Sequence, residues 1–248
     1  MKIEEKIKQK YLYRKKENIF KKIYFFLQKI NSKKYLKKSY SGSAQDLILS
    51  NYFKNQKDGF YIDIGCYHPY NGNNTKLFYD RGWSGINIDL DFHTIEFFKK
   101  IRKRDENIQV AISDSNGEKD LYFFHNRSAI NSLDYRREKK AKEIKKIQTK
   151  TLESIIDKSM FKNKIIDFLS IDVEGHEYEV IKGLNLKKYK PRILLIEFLN
   201  EKEDNTNHTY QNIDTILNSK LYNYLIDHGY VFINWLNQDL VFKLKTEG

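Results

Sequence analysis

The stretch FYIDIG at residues 60–65 is an apolar run that ends abruptly in a carboxylate and a glycine. A second stretch, LSIDVEGHE at residues 169–177, has the same form about 110 residues further along. Parallel strands that are buried on both faces read as continuous apolar runs. Ligands of open α/β sheets bind beyond the carboxyl ends of such strands. We therefore expect Asp63 and Asp172 to lie at one ligand-binding crevice, which suits a nucleoside-type cofactor with acid–base or metal chemistry beside it.

Strand patterns alternate with helix patterns along most of the chain. Strands are predicted at 60–65, 85–90, 107–112, 121–125, 166–172 and 192–198, and helices at 74–81, 92–101, 134–148, 177–183 and 211–227. This alternation predicts a parallel sheet in an α/β fold. The segments 230–235 and 239–245 predict a closing hairpin around Asn237, and hence one antiparallel strand. The whole is the Rossmann-like, seven-stranded layout of class I methyltransferases.

The net charge of +12 is concentrated near the N-terminus. Residues 1–40 contain 13 lysines and Arg14 against three glutamates, so they hold +11 of that charge. The remainder is nearly neutral, which argues against a nucleic-acid groove in the active site. We predict two parts, a basic amphipathic helical extension over residues 1–38 and a Rossmann-like methyltransferase domain over residues 39–248.

The extension has a helical pattern of its own. Apolar residues recur at helical spacing from Ile19 to Ile30, with lysines between them. Three interpretations stay open. The helix packs on the domain or on a partner subunit, as in a homo-oligomer; it lies on an anionic membrane surface; or it binds nucleic acid.

Composition also points to a compartment. The sequence has no run of about 18 uncharged apolar residues, so a transmembrane helix is not expected. The charged N-terminus does not read as a secretory signal. A lone cysteine, Cys66, cannot form an internal disulfide, which suits the reducing cytosol. We predict a cytoplasmic protein, with peripheral membrane association as the alternative.

The first strand and its loop indicate a nucleoside cofactor. Gly65 lets the backbone approach a ligand closely. Asp89 ends the next strand 24 residues later, a spacing typical of the acidic residue that binds ribose hydroxyls. The loop lacks the closely spaced glycines that a pyrophosphate needs, which disfavours NAD. S-Adenosylmethionine has no phosphate and does not need them. Ser113 and Asp114, at the end of the third strand, are expected beside the adenine base.

Several segments together resemble a known family. The resemblance covers about residues 39–200 and rests on SYS at 39–41, QDLIL at 45–49, FYIDIG at 60–65, NT at 74–75, GWSGINID at 82–89 and IDVEGHE at 171–177. This ordered set is similar to the FkbM family of S-adenosylmethionine-dependent methyltransferases. The resemblance implies a Rossmann-like fold, methyl transfer to a hydroxyl of a sugar or another small polar metabolite, and a cofactor site at Asp63, Gly65, Asp89 and Asp114. Many members have a small residue and a second glycine where this chain has Tyr67-His68-Pro69.

Methyl transfer to a hydroxyl needs a group that accepts the proton. Asp172 is expected beside the transferred methyl group and is the first candidate for a base or substrate anchor. His176 follows in the next turn, with an ordinary pKa near neutrality. His68 reaches the crevice from the first loop. These three form the predicted catalytic set.

Other polar residues are candidates for the acceptor side. Asn74 and Thr75 begin a helix that faces the crevice, Glu197 ends the fifth strand, and Arg127 lies in a loop that could contact an anionic part of the substrate. Glu174 is expected to cap the helix that follows it. Asp172, Glu174 and Glu197 would supply the hard oxygen ligands that Mg²⁺ prefers. No spacing demands a metal, so we assign no metal ligands and keep Mg²⁺ as the alternative to a cofactor set of S-adenosylmethionine alone.

The sequence therefore predicts a methyltransferase that uses S-adenosylmethionine, with a sugar, nucleotide-linked sugar or glycan precursor as the hydroxyl acceptor. A nucleic-acid methyltransferase and a non-catalytic cofactor-binding subunit are the alternatives.

Overall fold

The computed structural model describes residues 19–125, 130–199 and 212–245. The chain divides into two compact units, Met1–Lys38 and Ser39–Gly248. In the first unit the described residues form helix α1 (Ile19–Ser32) and a short 3₁₀ turn at Lys33–Tyr35. No helix in the described ranges has the length and apolar composition needed to cross a bilayer.

The second unit alternates strands and helices. Its strands are β1 (Phe60–Ile64), β2 (Ser84–Asp89), β3 (Glu106–Gln109), β4 (Ala111–Ile112), β5 (Gly117–Phe123), β6 (Glu143–Lys150), β7 (Phe168–Ile171), β8 (Ile193–Glu197), β9 (Tyr230–Leu236) and β10 (Asp239–Leu244). Its helices are α2 (Gln45–Tyr52), α3 (Lys76–Asp80), α4 (Phe92–Ile101), α5 (Leu152–Lys158), α6 (Glu177–Lys182), α7 (Leu186–Tyr189), α8 (Ile213–Leu217) and α9 (Lys220–Asp227), with a 3₁₀ helix at Tyr135–Lys140.

The main sheet has seven strands in the order β3-β2-β1-β7-β8-β10-β9. The first five are mutually parallel. β10 runs antiparallel to both β8 and β9. The strand order switches at β1: β2 and β3 are added on one side of it, and β7 and β8 on the other. The α/β class, the mainly parallel sheet and the antiparallel C-terminal hairpin predicted from the sequence are confirmed.

A smaller sheet, β4-β6-β5, corrects one prediction. The polar segment 134–148, predicted as a helix, is instead a 3₁₀ helix followed by β6. β6 pairs antiparallel with β5 along its whole length. Lys145, Ile147 and Thr149 alternate toward the less exposed face, which is the period of a strand. Because most residues of this segment are charged or polar, the alternation was not recognised and the segment was predicted as a solvent-exposed helix.

The core lies on both faces of the main sheet, which is why the middle strands read as unbroken apolar runs. On one face, Phe168 of β7 contacts Phe78 and Trp83, with ring centroids 4.7 Å and 6.2 Å away. On the other face, the helices α5, α6 and α9 pack against β1, β7 and β8. Both faces of β1 and β7 are therefore anchored, and their carboxyl ends are held side by side.

Candidate active site

A cavity lies beyond the carboxyl ends of β1, β2, β4 and β7. One wall comes from the loop after β1 and the end of β2. The wall beside it is apolar and is formed by Val110, Ala111 and Ile112. The opposite wall is polar and comes from two segments, residues 131–133 and residues 172–176. The cavity therefore joins an apolar slot to a group of acidic and hydroxyl side chains.

Gly65 lets the loop after β1 lie directly against the backbone of Asp172, at the end of β7. Its backbone has φ +77°, and a Cβ placed on it would lie 1.7 Å from the carbonyl oxygen of Asp172. The Asp172 N–H donates to the carbonyl of Ile64 at 3.0 Å. No side chain other than hydrogen fits between the two strand ends, so glycine is required here for space as well as for conformation.

Asp89 is the carboxylate that ends β2, and it lines the cavity. Its Oδ2 accepts the N–H of Tyr67 at 3.0 Å, and its Oδ1 accepts the N–H of Asp91 at 2.8 Å. Burial raises the pKa of this carboxyl to about 6, and the charge of Asp91 adds to the rise. The site thus holds a carboxylate whose position is set by the backbone at the place predicted for a ribose contact.

Asp63 lies one step behind the cavity and is absent from its lining. Its Oδ2 accepts from Asn73 Nδ2 and Thr75 Oγ1, each at 3.2 Å. Arg102, which is fully buried, donates to Asn73 Oδ1 at 2.7 Å. Burial raises the pKa of Asp63 to about 6, and the Arg102 charge offsets part of that rise. Asp63 therefore supports the loop after β1, and Thr75, predicted to contact the substrate, belongs to the same buried network.

Ser113 and Asp114 both follow β4, but Ser113 is buried beside His176 and Asp114 pairs with Lys119 outside the cavity. Ser113 is buried, and its Oγ lies 2.9 Å from His176 Nε2. Asp114 is bound by Lys119 Nζ at 3.0 Å and accepts from Ser115 Oγ at 3.1 Å, and it does not line the cavity. The predicted adenine-side residues thus lie next to the apolar wall, and the wall itself is formed by the residues just before them.

The predicted catalytic residues separate into two groups. Asp172 and His176 line the cavity, whereas His68 does not. The His68 Nδ1 accepts the N–H groups of Tyr70 and Asn71, each at 3.1 Å, so this nitrogen shapes its own loop. Burial, together with the charge of Lys119, lowers the pKa of His176 to about 4. His176 is therefore neutral at physiological pH.

Three carboxylates gather at the polar end of the cavity. One oxygen each of Asp172, Glu174 and Glu197 lies within 4.8 Å of the others. Burial of its carboxyl group, and after it the charge of Glu174, raise the pKa of Asp172 well above its usual value. Burial and the charge of Asp172 do the same to the pKa of Glu197. The arrangement suits a cation or a set of hydroxyl donors.

The turn after β7 corrects the role predicted for Glu174. Glu177 Oε1 accepts the N–H groups of Val173 and Gly175, at 3.1 Å and 2.9 Å, so Glu177 stabilises the turn that precedes α6. The Glu174 carboxylate instead pairs with Arg137 at 2.8 Å. Glu174 has φ +60°, which turns its side chain away from the first turn of α6. Spacing along the chain could not reveal this local reversal.

The remaining predicted substrate residues are dispersed. Asn74 donates to Ser170 Oγ at 3.1 Å, on the β7 side of the loop. Glu197 is buried behind Asp172, and Arg127 lies outside the described residues. Sequence reasoning did not single out Ser132, which lines the cavity and donates to the Glu174 carbonyl at 2.8 Å. Its position within the predicted acceptor-side loop was the available signal.

A mainly parallel seven-stranded sheet with an antiparallel C-terminal hairpin, and a cavity beyond its strand ends, defines a class I methyltransferase-type domain. The sequence matches the family model described as "Methyltransferase FkbM domain" over residues 63–232. That match covers more than half of the chain, so the chain belongs to the FkbM methyltransferase family, as the sequence motifs predicted.

One solved structure that resembles this chain is described as "a putative caffeoyl-CoA O-methyltransferase from Staphylococcus aureus". The two share 10% sequence identity with a TM-score of 0.43, and the similarity covers 90% of this chain and 91% of the other. No curated protein matches the sequence.

The contact between Gly65 and Asp172 gives a direct test. Gly65→Ala should displace the end of β1 from β7, because its methyl group would overlap the Asp172 carbonyl. We expect a loss of roughly 2 kcal/mol or more in the free energy of unfolding, given the strain of a positive φ added to the overlap. Urea denaturation measures this loss. Gly72→Ala, also at positive φ but with open space around it, is the matched control. Equal losses in the two variants would show that the close approach is unimportant.

Proposed function

We propose that this methyltransferase transfers the methyl group of S-adenosylmethionine to a hydroxyl oxygen of a sugar, a nucleotide-linked sugar or a glycan precursor. One observation carries the proposal. A single cavity connects Asp89 and the apolar wall at residues 110–112 with the acidic group at Asp172. The first part suits an adenosine and the second suits a polyhydroxylated acceptor.

The part of the cavity at Asp89 and residues 110–112 is complementary to an adenosine in hydrogen bonding and in polarity. A carboxylate whose oxygens are already oriented by two backbone N–H groups can accept hydrogen bonds from ribose hydroxyls. The apolar wall would cover the faces of the base. His176 is neutral, so no imidazolium charge of its own opposes the cationic sulfonium.

The acceptor end follows from charge. Carboxylates bind hydroxyl donors well and repel anions, so the group of the acceptor that enters here is expected to be an uncharged polyol. In the reaction, the acceptor oxygen forms its bond to the methyl carbon as the carbon–sulfur bond breaks. The electron pair stays on sulfur, and the hydroxyl proton passes from the acceptor to water. Asp172, exposed at the cavity surface, is the residue we assign to contact that hydroxyl.

The reaction class can be tested without knowing the acceptor. Calorimetry should detect S-adenosylhomocysteine binding and no tight NADH binding. Incubation with methyl-labelled S-adenosylmethionine and a panel of sugars and nucleotide-linked sugars should then transfer label to an acceptor. Label recovered only in nucleic acid would support the alternative methyltransferase class, and tight NADH binding without S-adenosylhomocysteine binding would overturn the proposal.

Asp89 makes the cofactor affinity depend on pH. Its pKa of about 6 means that the carboxylate is charged above pH 6 and protonated below it. Because ribose hydroxyls donate to the charged form, S-adenosylhomocysteine affinity should be constant above about pH 7 and fall as pH drops through 6. Asp89→Ala should weaken binding at pH 7.5 by roughly 1–3 kcal/mol, the cost of a lost hydrogen bond to a charged group.

Two variants complete this measurement. Asp89→Asn should remove the pH dependence near 6, since the amide does not titrate. Asp114→Asn should change the affinity much less, because Asp114 is held by Lys119 outside the cavity lining. A folded Asp89→Ala protein with wild-type affinity would remove Asp89 from the cofactor site.

Asp172 should matter for turnover more than for cofactor binding. Asp172→Asn should lower kcat by about 10²-fold or more, since losing the group that activates a nucleophile typically costs 10²–10⁴. Its affinity for S-adenosylhomocysteine should stay within about threefold of wild type. His68→Ala is the comparison, because His68 lies off the cavity. If His68→Ala loses activity while Asp172→Asn keeps it, the assignment of Asp172 is wrong.

We further infer that helix α1 attaches the protein to anionic membrane surfaces. The side chains of Ile19, Ile23, Phe26 and Ile30 are exposed and share one side of the helix by its 3.6-residue period. Lys22 and Lys29 lie along one edge of this side, and Lys21 lies on the opposite side of the helix. A helix with an apolar face and a basic edge suits the interface of a bilayer that contains anionic lipids.

Vesicle sedimentation tests this attachment. The full-length chain should sediment with vesicles that contain phosphatidylglycerol, and the bound fraction should fall with added salt, because charges are screened over about 8 Å at physiological ionic strength. A double substitution, Ile23→Ser with Phe26→Ser, should reduce binding strongly. Phe25→Ser is the control, since Phe25 is exposed on the other side of the helix. No sedimentation of the wild type would favour the helix as a packing element instead.

A further inference from the structure

We propose that Asp172, Glu174 and Glu197 form a binding site for one divalent, oxygen-preferring cation such as Mg²⁺, Mn²⁺ or Ca²⁺. The site would lie at the acceptor end of the cavity. Cation binding itself does not depend on the proposed function, but the role we give the cation, holding the acceptor hydroxyl, rests on it. The sequence offered these ligand types without a spacing that demanded a metal.

The distances fit one ion. Two oxygens bound to the same cation can be no further apart than twice the metal–oxygen distance, which is about 4.0–5.2 Å over the range from Mg²⁺ to Ca²⁺. One oxygen from each of the three carboxylates lies within 4.8 Å of the others, which is inside the limit for Ca²⁺. Mg²⁺ would need the side chains to move together by about 0.6 Å. The ligands come from the ends of two adjacent parallel strands, β7 and β8, and from the turn that follows β7.

A second observation is independent of this clustering. Glu197 is more than nine-tenths buried, and its Oε2 has no hydrogen-bond partner among the described residues. Buried carboxylate oxygens are normally hydrogen-bonded, because leaving one unpaired forfeits its solvation. The Glu197 side chain reaches the Asp172 carboxyl, so the unpaired oxygen belongs to the cluster. A cation there would supply the missing partner.

The surrounding charge points the same way. Asp239 lies directly opposite Glu197 in the β8–β10 pairing, and its Oδ2 accepts from Gln45. Asp239 and Glu177 both add negative potential at Asp172. Arg137 pairs with Glu174 Oε2 at 2.8 Å and offsets part of this negative charge. The cluster therefore holds a surplus of negative charge at a strand end that opens to the cavity, where a divalent ion would offset it.

The arrangement also gives the cation a role. Glu197 is buried beneath the cluster and Asp172 is exposed to the cavity, so the protein ligands lie on one side of the ion. The opposite side would face the acceptor. A cation in this place would hold an acceptor hydroxyl oxygen and lower its pKa. The hydroxyl proton would pass to water, the oxygen–methyl bond would form, and sulfur would keep the electron pair of the broken carbon–sulfur bond.

Manganese binding to the full-length protein tests the site directly. Mn²⁺ titration followed by electron paramagnetic resonance should show one ion per chain, and Mg²⁺ should compete for it. Glu197→Gln and Asp172→Asn should each weaken Mn²⁺ at least about tenfold. Glu96→Gln, which removes an exposed carboxylate on α4, is the matched control and should bind Mn²⁺ like the wild type.

A thermal measurement shows that the variants are folded. Mn²⁺ should raise the Tm of the wild type, because a ligand that binds the native state stabilises it. Glu197→Gln should have a Tm at or above that of the ion-free wild type, since it removes a buried like-charge contact, and Mn²⁺ should no longer raise it. EDTA should abolish methyl transfer, and Mg²⁺ should restore it.

The rival arrangement is a pair of carboxyl groups, Asp172 and Glu197, that share one proton without a metal. It predicts no Mn²⁺ binding at millimolar concentration and full activity in EDTA, with S-adenosylhomocysteine bound normally, and that result would overturn the cation site while leaving the proposed function intact. One Mn²⁺ per chain, lost in Glu197→Gln, supports the site even if S-adenosylhomocysteine fails to bind. In that case only the proposed function fails.

Discussion

The contact between Gly65 and the carbonyl oxygen of Asp172 is the constraint on which the candidate site depends. β1 and β7 are adjacent parallel strands, and at their carboxyl ends the two backbones approach so closely that a Cβ on Gly65 would overlap the carbonyl. The loop after β1 hydrogen-bonds to Ile88 of β2, and the turn after β7 contacts Ser132 and Ser113. The space between the two segments is the cavity, so the closeness of the strands determines where a ligand can enter.

A buried polar network maintains that geometry from behind. Asp63 binds Asn73 and Thr75, while Arg102 binds Asn73. Arg102 also lies 3.9 Å from Asp105, another buried carboxylate. Burying charges is costly unless they are paired and hydrogen-bonded. Here the Arg102 guanidinium lies near both carboxylates, and this network holds the loop after β1 in place. Asp89 takes no part in it and accepts hydrogen bonds from the backbone N–H groups of Tyr67 and Asp91.

The three carboxylates at the polar end of the cavity, Asp172, Glu174 and Glu197, lie close to one another, and Arg137 pairs only with Glu174. Burial raises the pKa of Asp172 and of Glu197; the charge of Glu174 adds to the rise at Asp172, and the charge of Asp172 adds to it at Glu197. Such crowding disfavours the folded state, and groups with shifted pKa values gather at functional sites because chemistry requires them there. The same domain thus contains two buried aspartates, Asp63 and Asp105, whose charge Arg102 partly offsets, and an acidic cluster whose negative charge is largely left for a ligand.

The local sequence pattern determined the fold class, the positions of the main strands along the chain and the residues at their ends. The reason is that a strand buried on both faces must be apolar and must end where the chain turns polar. It therefore located Gly65, Asp89 and Asp172 correctly at one edge of the sheet. It also predicted a helix where β6 lies, since a strand with one solvent-exposed, charged face resembles a polar helix until its partners β4 and β5 are known. Only the tertiary structure separated Asp63, which supports the loop, from Asp89, which lines the cavity, and showed that Glu177 stabilises the turn before α6 while Glu174 pairs with Arg137. The reason is physical: strand identity depends on neighbours in sequence, whereas the direction of a side chain and the charge around it depend on neighbours in space.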